Sequence, residues 1–222
     1  MKSLKKRTTS ALAWDIGGTM LRQTFNFVTS IFLARLLTPE EFGLVGMSMV
    51  FIAFAEVFID VGFSSALIQN QKNSELTYNS VFFINIGAGF LLTIVFYLSA
   101  PLIGRFYNNM EVVGLVRWLS LIFVFNSANL VQVAILKKKL NLKIMNVRTS
   151  IGAMIGGIAG VASAFAGLGV YSLVIQHITM AVAGTLLLWT TAGWLPKMEF
   201  SWREVKNLTG FSTYIFMDRI FS

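Results

Sequence analysis

Residues 149–196, TSIGAMIGGIAGVASAFAGLGVYSLVIQHITMAVAGTLLLWTTAGWLP, form a run of 48 residues without one Lys, Arg, Asp or Glu. An α-helix rising ~1.5 Å per residue crosses a bilayer core of ~30 Å in about 20 residues. The run is therefore too long for one crossing and long enough for two. Gly167-Leu168-Gly169, near its middle, has the composition of a tight turn. The stretch reads as a hairpin of two membrane helices, near 147–166 and 170–192.

Working outward, the same logic places further spans. Between Glu75 and Arg105 lie 29 uncharged residues, and between Arg117 and Lys137 lie 19, giving helices near 76–104 and 112–136. Two earlier segments, near 11–37 and 42–69, are apolar but interrupted by charges. The count is six. Composition agrees: 55% of the 222 residues are hydrophobic and 13% charged, against about 25% charged in a soluble domain. A soluble fold would lack the residues to make its surface. The net charge of +8 comes from short basic clusters between apolar runs, which is the pattern of topology signals and not of a nucleic-acid site. With no cysteine, disulfides and thiolate metal sites are excluded.

Lys2, Lys5, Lys6 and Arg7 resemble the start of a signal peptide, but Asp15 and Arg22 interrupt the apolar stretch after them. The segment reads as an uncleaved first helix. With the N-terminus in the cytoplasm, the alternate loops collect thirteen Lys and Arg on the inner side, among them Lys137, Lys138, Lys139, Lys143 and Arg148. Three, Arg35, Arg105 and Arg117, fall on the outer side. That asymmetry sets the orientation. Thr38-Pro39-Glu40-Glu41 reads as an N-cap, a proline at the first helical position and a capping-box glutamate, so a helix starts there. Ser201-Trp202-Arg203-Glu204 has the same form and predicts another helix start. That last helix carries Asp218 and Arg219 and stops at Ser222 without a polar tail, which reads as a fragment.

Charges inside spans cost roughly 2.5–3.5 kcal/mol each at the helix centre, so they tend to face a cavity or a partner. At 100° per residue, Asp15, Thr19, Arg22, Asn26, Thr29 and Ser30 share one stripe of the first helix, with Met20, Phe27, Val28 and Ile31 opposite. Arg22, with Asn26 and Asp15 on its face, is the candidate for meeting an anionic substrate. A structural pairing of Arg22 with Asp15 or Glu56 is the competing reading. Glu56 and Asp60, four apart on one face, either couple a proton or cation or sit at a solvated helix end. Asn85, Asn126 and Asn129 read as interhelical hydrogen bonders, and His177 as a satisfied buried histidine. Gly152, Gly156, Gly160 and Ala164 make a small-residue ladder, a packing face for a neighbouring helix. No paired-acid, zinc-protease, P-loop or serine–histidine pattern points to an enzyme, a metal or a cofactor.

Two segments carry a resemblance: LARLLTPEEFGLV at 33–45 and FIDVGFSSALIQ at 58–69. Both resemble Wzx-like bacterial polysaccharide and O-antigen exporters of the multidrug/oligosaccharidyl-lipid/polysaccharide superfamily. The resemblance implies an all-α integral membrane protein of the bacterial cytoplasmic (inner) membrane, with two six-helix lobes around a cavity. Residues 1–192 would be the N-terminal six-helix lobe, and 193–222 a cytoplasmic linker and the start of helix seven. It also implies the partners: an undecaprenyl-pyrophosphate-linked oligosaccharide, membrane lipid and a C-terminal lobe, with no nucleic acid. The function implied is flipping of that glycan by alternating access. The alternatives are a multidrug or organic-cation antiporter of the same superfamily and a membrane-embedded glycan-assembly enzyme.

Overall fold

The computed structural model describes the backbone of residues 2–57, 59, 63–70, 73–139, 141–206 and 208, and side chains from residue 17 onward except 142. The side chain of Asp15, the whole of Asp60, and the expected helix through 211–222 with Asp218 and Arg219 lie outside the described residues.

The described residues form α1 (Lys2–Leu36), α2 (Pro39–Glu56), α3 (Phe63–Gln69), α4 (Glu75–Phe106), α5 (Glu111–Leu119), α6 (Ile122–Lys138), α7 (Leu142–Phe165) and α8 (Tyr171–Thr191), with a short helical turn at 202–206 and no strand. Four segments are long and apolar enough to cross a membrane: α4, α5–α6 taken together, α7 from Lys143, and α8. The protein is a multi-pass membrane protein. The other two expected spans are interrupted by polar and charged residues. Arg22, Gln23 and Asn26 dilute α1, and α2 carries Glu40, Glu41 and Glu56 within its 18 residues.

Local chemistry sets the helix boundaries. Thr38 closes the expected capping box: its Oγ1 accepts from the Glu41 N–H at 3.3 Å, and Glu41 Oε2 accepts from the Thr38 N–H at 2.7 Å. Ser74 caps α4 by accepting from the Thr77 N–H at 3.1 Å. The α7–α8 turn forms where two glycines stand, with Gly167 at φ 81° and Gly169 at φ 53°. These are left-handed conformations that side chains other than glycine rarely adopt. Between α5 and α6, Ser120 and Leu121 keep right-handed helical angles, so the two run on as one 28-residue apolar segment.

Small residues bring the helices together. A Cβ on Gly152 would meet the Met180 carbonyl at 3.3 Å, one on Gly156 the Gln176 carbonyl at 2.7 Å, and one on Gly160 the Gln176 Cβ at 2.8 Å. The ladder is thus the seam between α7 and α8. On its other side α7 lies against α1, where Gly157 faces Phe25 and Thr29. Gly89 of α4 likewise faces Ser127 and the Phe123 carbonyl of α6.

Among the described residues the buried apolar side chains form three clusters, two of them large. One holds Leu33, Leu37, Val45, Leu115, Leu119 and Leu173, joining the end of α1 to the start of α2, α5 and the α7–α8 turn. The other holds Phe63, Leu67, Phe82, Ile135, Val205 and Leu208. The outer face of α4 exposes Phe90, Leu91, Ile94, Leu98, Leu102 and Phe106. A stripe this apolar belongs in hydrocarbon.

Candidate functional site: a polar cavity among five helices

Beside the first core, with which it shares Ile52 and Ile122, lies a cavity of about 610 Å³. Arg22 and Asn26 reach it from α1, Glu56 from α2, Asn126 and Asn129 from α6, Arg148 and Thr149 from α7, and His177 from α8. Gly152 and Gly184 line it without side chains and so leave the space open. The α1 stripe explains how Arg22 and Asn26 arrive together: they lie one turn apart, while Met20, Phe27, Val28 and Ile31 are exposed on the opposite face.

The cavity's one described acid is held by a neutral partner. Asn126 Nδ2 donates to Glu56 Oε1 at 2.6 Å, and no ion pair joins Glu56 to Arg22 among the described residues. The expected structural pair is therefore not formed with Glu56, and Asp15 lies outside the described side chains. Asn129 Nδ2 donates to Thr185 Oγ1 at 2.8 Å, and Thr185 donates in turn to the Ala181 carbonyl at 2.8 Å. These amides bond between helices as expected. Asn85 is different: it is buried on α4, and neither amide atom has a partner among the described residues. His177, read from the sequence as a satisfied buried histidine, is partly buried and lines the cavity.

Arg148 is the residue that sequence reasoning places wrongly. Counted with the basic inner loop, it lies seven residues inside α7, because Asn141 caps the helix and Leu142 begins it. A signal is available: Arg148 precedes Gly152 by one turn, so it shares the ladder face that turns toward α8. Its Nε and Nη1 are buried without a hydrogen-bond partner among the described residues. Unpartnered charged donors in a low-dielectric site are costly. Guanidinium forks match carboxylate and phosphate oxygens in paired bonds. With Arg22 across the same space, the cavity presents, among the described residues, two guanidinium cations against one carboxylate. The arrangement suits an anionic group flanked by hydroxyls, for which Asn26 supplies amide donors and acceptors.

Residues 32–222 match the family model described as "Polysaccharide biosynthesis protein". The chain belongs to the polysaccharide biosynthesis protein family. Among curated members, it is 27% identical to the succinoglycan biosynthesis transport protein ExoT of Rhizobium meliloti (strain 1021), over 89% of this chain and 41% of that protein. It is 28% identical to the teichuronic acid biosynthesis protein TuaB of Bacillus subtilis (strain 168), over 99% of this chain and 46% of TuaB. It is 32% identical to the lipopolysaccharide biosynthesis protein WzxC of Escherichia coli (strain K12), over 55% of this chain and 25% of WzxC. The chain spans less than half the length of these relatives. No solved structure matches it.

Proposed function

We propose that this chain is the first, six-helix lobe of a flippase that exports undecaprenyl-pyrophosphate-linked oligosaccharide across the bacterial inner membrane for surface polysaccharide synthesis. In this reading α1 and the α2–α3 pair complete the six spans, and the N-terminus is cytoplasmic. A second lobe faces the cavity, and alternating access carries the glycan outward. The observation that carries the proposal is the cavity itself, with Arg22 and Arg148 facing one space in a chain of the polysaccharide biosynthesis family. The lipid tail stays in the bilayer while the diphosphate meets the two guanidiniums and Asn26 meets sugar hydroxyls. Glu56, held by Asn126, and Asp60 are the candidates for a coupling proton or cation. An organic-cation antiporter fits this cavity less well, because two arginines repel a cationic substrate.

The test is surface glycan on cells expressing Arg22→Ala, Arg148→Ala or both, with membrane levels measured alongside. Charge-assisted hydrogen bonds contribute about 1.5–3 kcal/mol each, so each single variant should lower export by about tenfold or more. Lipid-linked precursor should accumulate on the inner side. Wild-type export by the double variant at a normal membrane level would refute the reading.

A further inference from the structure

The chain that leaves α8 does not run free. Residues 197–205 lie against the first turns of α4 and bond to them at four points. The Lys197 N–H donates to Asn79 Oδ1 at 3.1 Å, and the Ser201 N–H to Ser80 Oγ at 2.9 Å. Asn79 Nδ2 donates to Glu199 Oε2 at 3.5 Å, and Thr77 Oγ1 to Glu204 Oε2 at 2.6 Å. Thr77, Asn79 and Ser80 are all at most 3% exposed. The S-x-x-E segment does begin a helical turn at 202–206, yet Glu204 and the Ser201 N–H are both engaged by α4 instead of closing a capping box on each other.

Apolar burial finishes the joint. Val205 and Leu208 are 2% and 4% exposed and pack in one core with Phe63, Leu67, Phe82 and Ile135. Tyr78 and Phe82 also stack edge-on against Trp194. The exposed Lys197–Glu75 pair at 2.6 Å adds little, as surface pairs do. A flexible linker keeps its backbone solvated; this segment commits backbone donors to buried side chains of α4.

We infer that residues 197–205 are a strap fused to α4, so that movement of the chain beyond residue 208 reaches the lobe through α4 and is not absorbed as slack. None of the residues lining the cavity belongs to α4. It packs against α5 and α6, and at α6 Gly89 lies so close to the Phe123 carbonyl that an added Cβ would stand 2.8 Å from it. Helix α6 carries Asn126 and Asn129 into the cavity. The path is contiguous: strap, α4, the Gly89 seam, α6, cavity. The strap stands on its own geometry, and its part in transport rests on the proposed function.

Residues 1–222 contain no cysteine, so with any cysteine outside them replaced by serine, Ser80→Cys with Ser201→Cys introduces a defined thiol pair. The protein expressed from its complete reading frame, in its native membrane, is treated with a short bifunctional methanethiosulfonate reagent. The expected result is near-complete crosslinking, with surface glycan export kept within about twofold of the untreated pair, since strap and helix move together. Poor crosslinking overturns the strap. Export lost on crosslinking and restored by a reductant overturns the rigid joint, because the strap must then lift away during the cycle. A second arm needs no substrate. Asn79→Ala removes two of the bonds, so trypsin should cut after Lys197 or Arg203 about tenfold faster. Unchanged cleavage at a normal membrane level also overturns the strap. Failure of the Arg22 and Arg148 variants to affect export would instead strike the proposed function and leave both strap readouts standing.

Discussion

Gly156→Val tests the α7–α8 seam directly. A Cβ at this position would lie 2.7 Å from the Gln176 carbonyl, 2.8 Å from the Met180 Cβ and 3.1 Å from the Met180 N. Two of these three neighbours are backbone, so α8 as a whole must move to make room. Overpacking of this kind costs about 1–3 kcal/mol. A branched side chain on an already short Cβ contact belongs at the upper end. Replacing glycine by valine in a helix returns only about 0.4 kcal/mol of propensity. The net loss is about 2.5 kcal/mol, and at about 2–4 °C per kcal/mol for a chain of this size the melting temperature should fall by about 5–10 °C. The assay is thermal aggregation of the detergent-solubilised protein, with Gly87→Val as the matched control. Nothing lies within 4 Å of a Cβ at Gly87, so that variant should stay within about 2 °C of wild type. Equal melting temperatures for the two variants would refute the claim that α7 and α8 touch along the ladder.

Two further outcomes rest on single contacts. Thr38→Ala removes the side-chain acceptor of the capping box at the start of α2, and should cost about 1 kcal/mol, or about 2–4 °C by the same assay; Glu41→Ala should then cost less in that background than in wild type, and full additivity would show that the two halves of the box act independently. Asn129→Ala breaks the bond to Thr185, and should lower the melting temperature by about 1–3 °C, because interhelical hydrogen bonds in membranes average about 0.6 kcal/mol; a larger loss for Asn129→Ala alone than for the double variant with Thr185→Val would show that the cost comes from leaving the Thr185 oxygen without the donor it accepts from, its own O–H still bonding to the Ala181 carbonyl.

Much of the fold is legible in the sequence because its signals are local. The charge-free runs, the Thr38 box, the Gly167–Gly169 turn and the glycine ladder each act within a turn or two of the residues that carry them. The α1 stripe is legible too, since a single helical turn is enough to align Arg22 with Asn26. The features that escape depend on where a helix begins or on a partner far along the chain. Arg148 looks like a loop charge because lysines surround the start of α7 and draw the boundary too late; the cap at Asn141 is the stronger signal. Glu204 looks like a local cap, yet it accepts from Thr77, 127 positions back. Asn126 has the character of an interhelical bonder, but nothing in the sequence says that its partner is Glu56. The break after Leu119 has no Gly or Pro to mark it, and Ser120 there is buried with its hydroxyl turned back to the Arg117 carbonyl at 2.7 Å.

The turn between α7 and α8 also constrains how the protein is made. Only residues 166–170 separate the two helices, so neither span can settle far from the other. A pair joined so tightly can enter the bilayer as one helical hairpin. Arg148, near the front of α7, is carried in alongside the more apolar α8, whose apolarity offsets the cost of the guanidinium. The glycine seam needs no later part of the chain to close, since its contacts all lie within residues 152–184.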